Sequence, residues 1–212
     1  MIKEILLTKK KDRIGSGKFN ISKIGQCRRR TYLEIKGLYK EEFSEELLRI
    51  FNLGNLFHKE IVNELLSKGD SQGIHITATE IDVGNEFISG RIDILVSDGK
   101  ENYVIDVKSA SSYTIKKLKE GECSENYKNQ VLLYMWFSGI HNGILLFIGK
   151  ERGEIVEVPV VYDEEKAEKL IQEIEDFFIN YVNKDLIPEK CDGGMFGCDC
   201  CETKGTIKDR KV

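Results

Sequence analysis

Hydrophobic positions recur along the chain with two periods, and their alternation predicts the order of elements. Helical spacing covers about Ser22 to Ile35, a segment that carries Cys27. A second helix starts after Ser44 as N-cap, has Glu45 and Glu46 in its first turn, and ends near Lys68 before Gly69. Its stripe, Leu47, Phe51, Gly54, His58, Ile61 and Leu65, places His58 on the inward face, with room left beside it by Gly54. Period-two, β-branched stretches then run from Ile74 to Val83 and from Phe87 to Val96. A turn at Ser97-Asp98-Gly99-Lys100 leads to a strand from about Tyr103 to Ser109. Ser124 caps a helix carrying Gln130 and Tyr134, and strands follow at Gly143 to Gly149 and Glu154 to Tyr162. Asp163 caps a long amphipathic helix with Ala167, Leu170, Ile171, Ile174, Phe177, Phe178 and Tyr181 inward. After Pro188 the pattern dissolves into a cysteine-rich tail. This order predicts an α/β sandwich around a mixed central sheet flanked by helices.

Composition narrows the class without changing that picture. Of 212 residues, 41% are hydrophobic and 32% charged, the balance of a globular protein. With no convincing linker and no internal repeat, the chain reads as one compact unit over residues 1–212. No apolar run approaches the roughly 20 residues of a membrane span, and no signal-like segment follows Met1. The expectation is a cytoplasmic protein without a membrane partner. A net charge of −4 argues against one that coats nucleic acid non-specifically. Basic residues gather at Arg28-Arg29-Arg30 and at Lys204, Lys208, Arg210 and Lys211. A local nucleic-acid contact competes there with a solvated helix face and a frayed terminus.

The segment from Phe87 to Ser109 carries the clearest chemistry. If the hairpin turns about a centre between Gly99 and Lys100, Ile92 faces Val107, Ile94 faces Ile105 and Val96 faces Tyr103, which makes one apolar face. The other face pairs Arg91 with Lys108 and Asp93 with Asp106. A tighter Asp98-Gly99 turn shifts partners by two and keeps both faces. Two carboxylates at cross-strand distance repel, and a hard divalent cation such as Mg²⁺ or Mn²⁺ relieves that repulsion. Lys108 points the same way and can position or activate a water for attack on a phosphodiester. The competing reading is an exposed face on which Asp93 and Asp106 pair with Arg91 and Lys108.

Six cysteines are many for such a chain. Cys191, Cys198, Cys200 and Cys201 crowd together, which in a reducing compartment indicates a metal or cluster site before disulfides. Adjacent Cys200 and Cys201 do not easily ligate one metal together. Cys123, just before a helix cap, reads as an ordinary thiol.

Four segments resemble the RecB-like branch of the PD-(D/E)XK nucleases: Gly54-Asn55-Leu56-Phe57-His58, Gly90-Arg91-Ile92-Asp93, Val104-Ile105-Asp106-Val107-Lys108 and Gln130-Val131-Leu132-Leu133-Tyr134. They occur in that family's order. The resemblance implies a restriction-endonuclease-like core in which His58, Asp93, Asp106 and the Val107 carbonyl bind metal. It makes Asp93, Asp106 and Lys108 catalytic, and Gln130 and Tyr134 substrate-positioning or supporting groups. For His58 the plain alternative is a satisfied buried histidine, and for Gln130 and Tyr134 it is helix packing. Glu80 is a further acid in the preceding strand.

One early cysteine and a late cluster bracketing such a core resemble the iron–sulfur nucleases. Size and layout are most similar to the CRISPR-associated Cas-four exonucleases, including virus-encoded relatives. That likeness implies a four-iron four-sulfur cluster on Cys27, Cys191, Cys198 and Cys201, with Cys200 the alternate, joining residues 1–43 to 184–212. The tail departs from the usual order, since the single cysteine precedes the close pair, so zinc remains the alternative metal. The activity implied is exonucleolytic cutting of single-stranded DNA, in spacer acquisition beside CRISPR integrase proteins or in viral DNA processing. A non-catalytic nucleic-acid-binding adaptor and a zinc-stapled regulator are the competing classes. Oligomers occur among relatives.

Overall fold

The computed structural model describes residues 17–39, 44–191 and 201. Cys198, Cys200 and the basic tail from Lys204 lie outside the described residues. The described chain divides into two compact units, one drawn from residues 1–48, 85–89 and 169–212, the other from 49–84 and 90–168.

In chain order the elements are β1 (Phe19–Asn20), α1 (Arg28–Ile35), α2 (Glu45–Lys68), β2 (His75–Gly84), β3 (Ile88–Ser97), β4 (Asn102–Ala110), α3 (Ser112–Lys119), α4 (Glu125–Ser138), β5 (Asn142–Gly149), β6 (Ile155–Val161) and α5 (Glu164–Phe177). The strands form a mixed sheet: β3 is antiparallel to β4, β4 parallel to β5, β5 antiparallel to β6, and β2 pairs with β3. This is the predicted α/β class, a mixed central sheet flanked by helices. Among the described residues no helix is long and apolar enough to cross a membrane.

The second unit holds the hairpin. Its register pairs Ile94 with Ile105, Val96 with Tyr103 and Ser97 with Asn102, so the turn is the wider of the two expected. Asp98 builds it: its carboxylate accepts from the amides of Lys100 at 2.9 Å and Glu101 at 2.8 Å. Along β3 burial alternates residue by residue. Ile94, Val96, Ile105, Val107, Leu146 and Ile148 form the core beneath, covered by Phe57, Ile61, Val62 and Leu65 of α2. Each fully buried aliphatic contributes about 1.5–3 kcal/mol. Helix α4 closes onto β5 at Gly143, where an added Cβ would stand 2.6 Å from Val131 Cγ1 and 2.7 Å from Met135 Sδ; only glycine admits that approach.

The first unit joins β1 in parallel to the start of β3, Phe19 with Ile88 and Asn20 with Ser89. Its core includes Ile21, Leu33, Ile174, Phe177, Phe178 and Val182. The inward stripe of α5 is continued by a π-helical turn over Phe178–Val182.

Three expectations change. The helix predicted from Ser22 is interrupted: a 3-10 turn covers Ile21–Lys23, Gly25 takes φ +80°, and α1 starts only after Cys27. In α2 the inward stripe is Phe57, Ile61, Val62 and Leu65, whereas Phe51 is exposed. Ser124 occupies the N-cap of α4 without a side-chain capping bond.

Candidate active site

The hairpin parity decides which side chains leave the core. With Ile92, Ile94, Ile105 and Val107 buried in the apolar layer, Asp93 and Asp106 project with Lys108 from the other side of β3 and β4. Asp106 is almost wholly buried, at 2% side-chain exposure, Asp93 is at 17% and Lys108 at 21%.

A hydrogen-bonded frame fixes these groups. Gln130 on α4 donates from Nε2 to Asp106 Oδ1 at 3.0 Å, and its Oε1 accepts from Lys108 Nζ at 3.1 Å. Gln130 also lies 3.0 Å from the Tyr134 hydroxyl, one helical turn along α4. Asp93 Oδ2 accepts the Val107 amide at 2.8 Å, so a side chain takes up a backbone donor on the neighbouring strand. His58 brings Nδ1 to 3.5 Å from the same carboxylate oxygen, too long for a good hydrogen bond. The structure thus brings together His58, Asp93, Asp106, Lys108, Gln130 and Tyr134, with Val107 present through its backbone.

Electrostatics single out the acid pair. Burial, and then the negative charge of Asp106, push the Asp93 carboxyl up to about 6; His58, the Val107 amide and Lys108 pull the other way. Burial raises Asp106 as well, against the pull of Lys108 and His58. Burial and the Asp106 charge raise the Tyr134 phenol, which stays neutral and able to donate. Lys108 Nζ lies 2.9 Å from Asp106 Oδ2. That ion pair is the oxygen's partner, and among the described residues it accepts no further hydrogen bond. Two largely buried carboxylates, both raised by burial, with an imidazole nitrogen 3.5 Å from one of them, form a donor set that fits a hard divalent cation.

Arg91 does not pair with the acids across the hairpin. It binds Asp82 Oδ1 at 2.7 Å and Glu80 Oε2 at 3.4 Å on β2. Glu80 adopts φ +53°, and burial in β2 changes phase there, with Thr79 and Glu80 both exposed. Glu80 therefore serves an exposed ion pair. Sequence reasoning also missed Tyr127, whose ring centroid lies 5.4 Å from Lys108 Nζ. Its place three residues before Gln130 on one helix was the available signal.

In the first unit, three thiols gather. Cys27 Sγ is 3.7 Å and Cys191 Sγ 3.6 Å from Cys201 Sγ, and the Cys191 amide donates to Cys201 Sγ at 3.3 Å. All three sulfurs lie within 4.8 Å of one another. Of the adjacent pair Cys200 and Cys201, Cys201 is thus a member of the group. Thiols at these distances could jointly hold a metal. Nearby, Arg29 donates to the Pro188 carbonyl at 3.0 Å and Arg30 to Glu34 at 3.2 Å. Two of the three arginines are thus engaged within the unit rather than left as a solvated face.

Comparison with known proteins gives a consistent picture. A family model described as the PD-(D/E)XK nuclease superfamily matches residues 59–206, a stretch that holds Asp93, Asp106, Lys108, Gln130 and Tyr134. Among solved structures the chain is similar to SSO0001, with a TM-score of 0.52 and 21% identity over 85% of this chain and 86% of that one. It is also similar to the alkaline exonuclease LHK-Exo from Laribacter hongkongensis; against the complex of LHK-Exo with dAMP the TM-score is 0.61 and identity 13%, over 80% and 89% of the two chains. A phage-related exonuclease from Haemophilus somnus 129PT gives 0.56 and 15%, over 79% and 96%. At these identities the likeness is one of fold. No match to the chain was found among curated proteins.

Proposed function

The chain belongs to the PD-(D/E)XK nuclease superfamily, and from that premise we propose that it is a Mg²⁺- or Mn²⁺-dependent deoxyribonuclease acting on single-stranded DNA ends. The observation that carries this reading is the pair of largely buried carboxylates, Asp93 and Asp106, with the Lys108 ammonium 2.9 Å from Asp106 Oδ2. In it, His58, Asp93, Asp106 and the Val107 carbonyl hold the cation. When bound, the cation lowers the pKa of its water and offsets charge on the phosphate. Lys108, oriented by Asp106 and Gln130, positions the attacking water and offers a proton donor near the reacting phosphate. Gln130 fixes both Lys108 and Asp106, and neutral Tyr134 braces Gln130 from behind. The exonuclease and dAMP-bound neighbours support action on nucleic acid.

The thiols serve as a structural centre in this reading, joining residues 1–43 to 184–212. Hydrolysis transfers no electrons, so no redox step is asked of them. Chain layout supports a four-iron four-sulfur cluster on Cys27, Cys191, Cys198 and Cys201, and a role in CRISPR spacer acquisition or viral DNA processing. A single zinc ion is the second reading, and one observation favours it. Thiolates about 2.3 Å from one tetrahedral ion stand about 3.8 Å apart, close to the 3.6 and 3.7 Å separations here. Cubane thiolates each bind a different iron and splay outward, which calls for wider spacing.

The test is anaerobic incubation of the protein with end-labelled single-stranded DNA and Mn²⁺, beside an Asp106→Ala, Lys108→Ala double variant. Cleavage that vanishes in the variant supports the enzyme. A folded, metal-loaded wild type that cuts nothing overturns it in favour of the adaptor. Iron, sulfide and zinc analysis of the same sample separates the two metal readings.

A further inference from the structure

Helix α4 presents a third side chain on the line that carries Gln130 and Tyr134. Tyr127 lies one turn toward the N-terminus and is 39% exposed. Its ring meets the ring of Phe147 edge-on, with centroids 5.8 Å apart at 62°. Phe147 is 1% exposed and is the register partner of Lys108 across the parallel pair β4 and β5. Partners in such a pair share a face of the sheet, so a buried phenylalanine anchors Tyr127 directly beside Lys108. The Lys108 ammonium lies over the tyrosine ring, 5.4 Å from its centroid. An exposed aromatic ring is thereby fixed at the edge of the group of charges proposed to meet the scissile phosphate.

The geometry points to Tyr127 as a stacking platform for the nucleobase next to the scissile phosphate. This inference rests on the nuclease reading and adds to it a reason for preferring single strands. A phosphate held at Lys108 has its own sugar and base within one nucleotide, the reach of the Tyr127 ring. Unstacked bases of a single strand are free to settle on an aromatic surface, whatever their identity. Bases inside a duplex are already stacked on one another, so duplex substrate gains this contact only where its ends fray. Tyr127 touches substrate in this account and does not act through Lys108.

The experiment uses the full-length, metal-loaded protein with single-stranded oligonucleotides, intact or carrying one abasic residue at each of the terminal positions in turn. Wild type, Tyr127→Ala and Tyr127→Phe are compared, with Tyr113→Ala as a control at another exposed tyrosine. Removing the base at the stacking position raises the wild-type KM on the order of 10-fold. Tyr127→Ala raises KM on the intact strand by a similar factor and is indifferent to the abasic residue, because the contact is already gone. Tyr127→Phe keeps both the low KM and the sensitivity to base removal. If base loss slows Tyr127→Ala as much as it slows wild type at every position, the ring stacks no base and the proposal fails. A second readout, quenching of 2-aminopurine in a bound strand with Ca²⁺ in place of Mn²⁺, separates this inference from the nuclease reading. Quenching that depends on Tyr127 in a protein that does not cut leaves the platform standing and removes the nuclease. Cutting without Tyr127-dependent quenching does the reverse.

Discussion

The carboxylate site and the thiol site are built in opposite ways. Asp93, Asp106 and Lys108 come from one hairpin and are held by Gln130 and a backbone amide. That frame is made by the protein's own groups, down to the Lys108 ammonium 2.9 Å from Asp106 Oδ2. Cys27 and Cys201 are 174 positions apart, and the recorded contacts among the three cysteines are between sulfurs, apart from one amide. A preorganised site tolerates loss of its metal and stops working, whereas a site made of distant thiols draws its cohesion from the metal itself.

The largest effect is expected in the carboxylate site. Lys108→Ala lowers the single-turnover cleavage rate on the order of 10³-fold and leaves the melting temperature within a few degrees, as rapid-quench assays and circular dichroism will show. Equal losses of stability and rate would erase the contrast. In the thiol site Cys27→Ser does the opposite: metal is lost, and the melting temperature falls by about 10 °C, several kcal/mol for a chain of this size. The fraction that stays folded still cuts. Metal analysis with thermal melting checks this.

A smaller effect follows from Asp93, whose carboxyl is raised from 3.8 to about 6. A raised carboxyl favours the folded state most below the unfolded value and loses that advantage as pH climbs through 6. Melting in EDTA should therefore fall between pH 4 and 7. A divalent cation must displace the same proton, so the increase in melting temperature given by Mn²⁺ is larger at pH 7.5 than at pH 5. A Mn²⁺ effect independent of pH would place the ion elsewhere. The smallest effect is Arg91→Ala. Its ion pairs with Glu80 and Asp82 are exposed, and their loss costs below about 1 kcal/mol by denaturant titration.

Much of this was legible in the sequence because the hairpin obeys a strict period. Alternation from Ile88 to Ser97 leaves one way to divide faces, and the Asp98 turn sets the register. What was hidden depends on neighbours remote in sequence. Arg91 pairs with Glu80 and Asp82 on β2, where Glu80 takes a left-handed φ of +53° that no periodicity announces. Helix α3 is short and lysine-rich, with only Ile115 and Leu118 buried, so its periodicity is weak. Gly25 divided a helix that hydrophobic spacing alone ran straight through. The place of Cys201 in the thiol group follows from its burial beside Cys27 and Cys191, which no periodicity in the tail reports.

The most direct test of the central claim is a calorimetric titration of Mn²⁺ into wild type and Asp106→Asn at pH 7.5. The account predicts binding by the wild type and its loss in a variant that remains folded, since asparagine keeps the side chain's size and an oxygen to accept from Gln130 while removing the charge. Equal affinity in the two proteins would show that the buried acid pair is not where the metal binds.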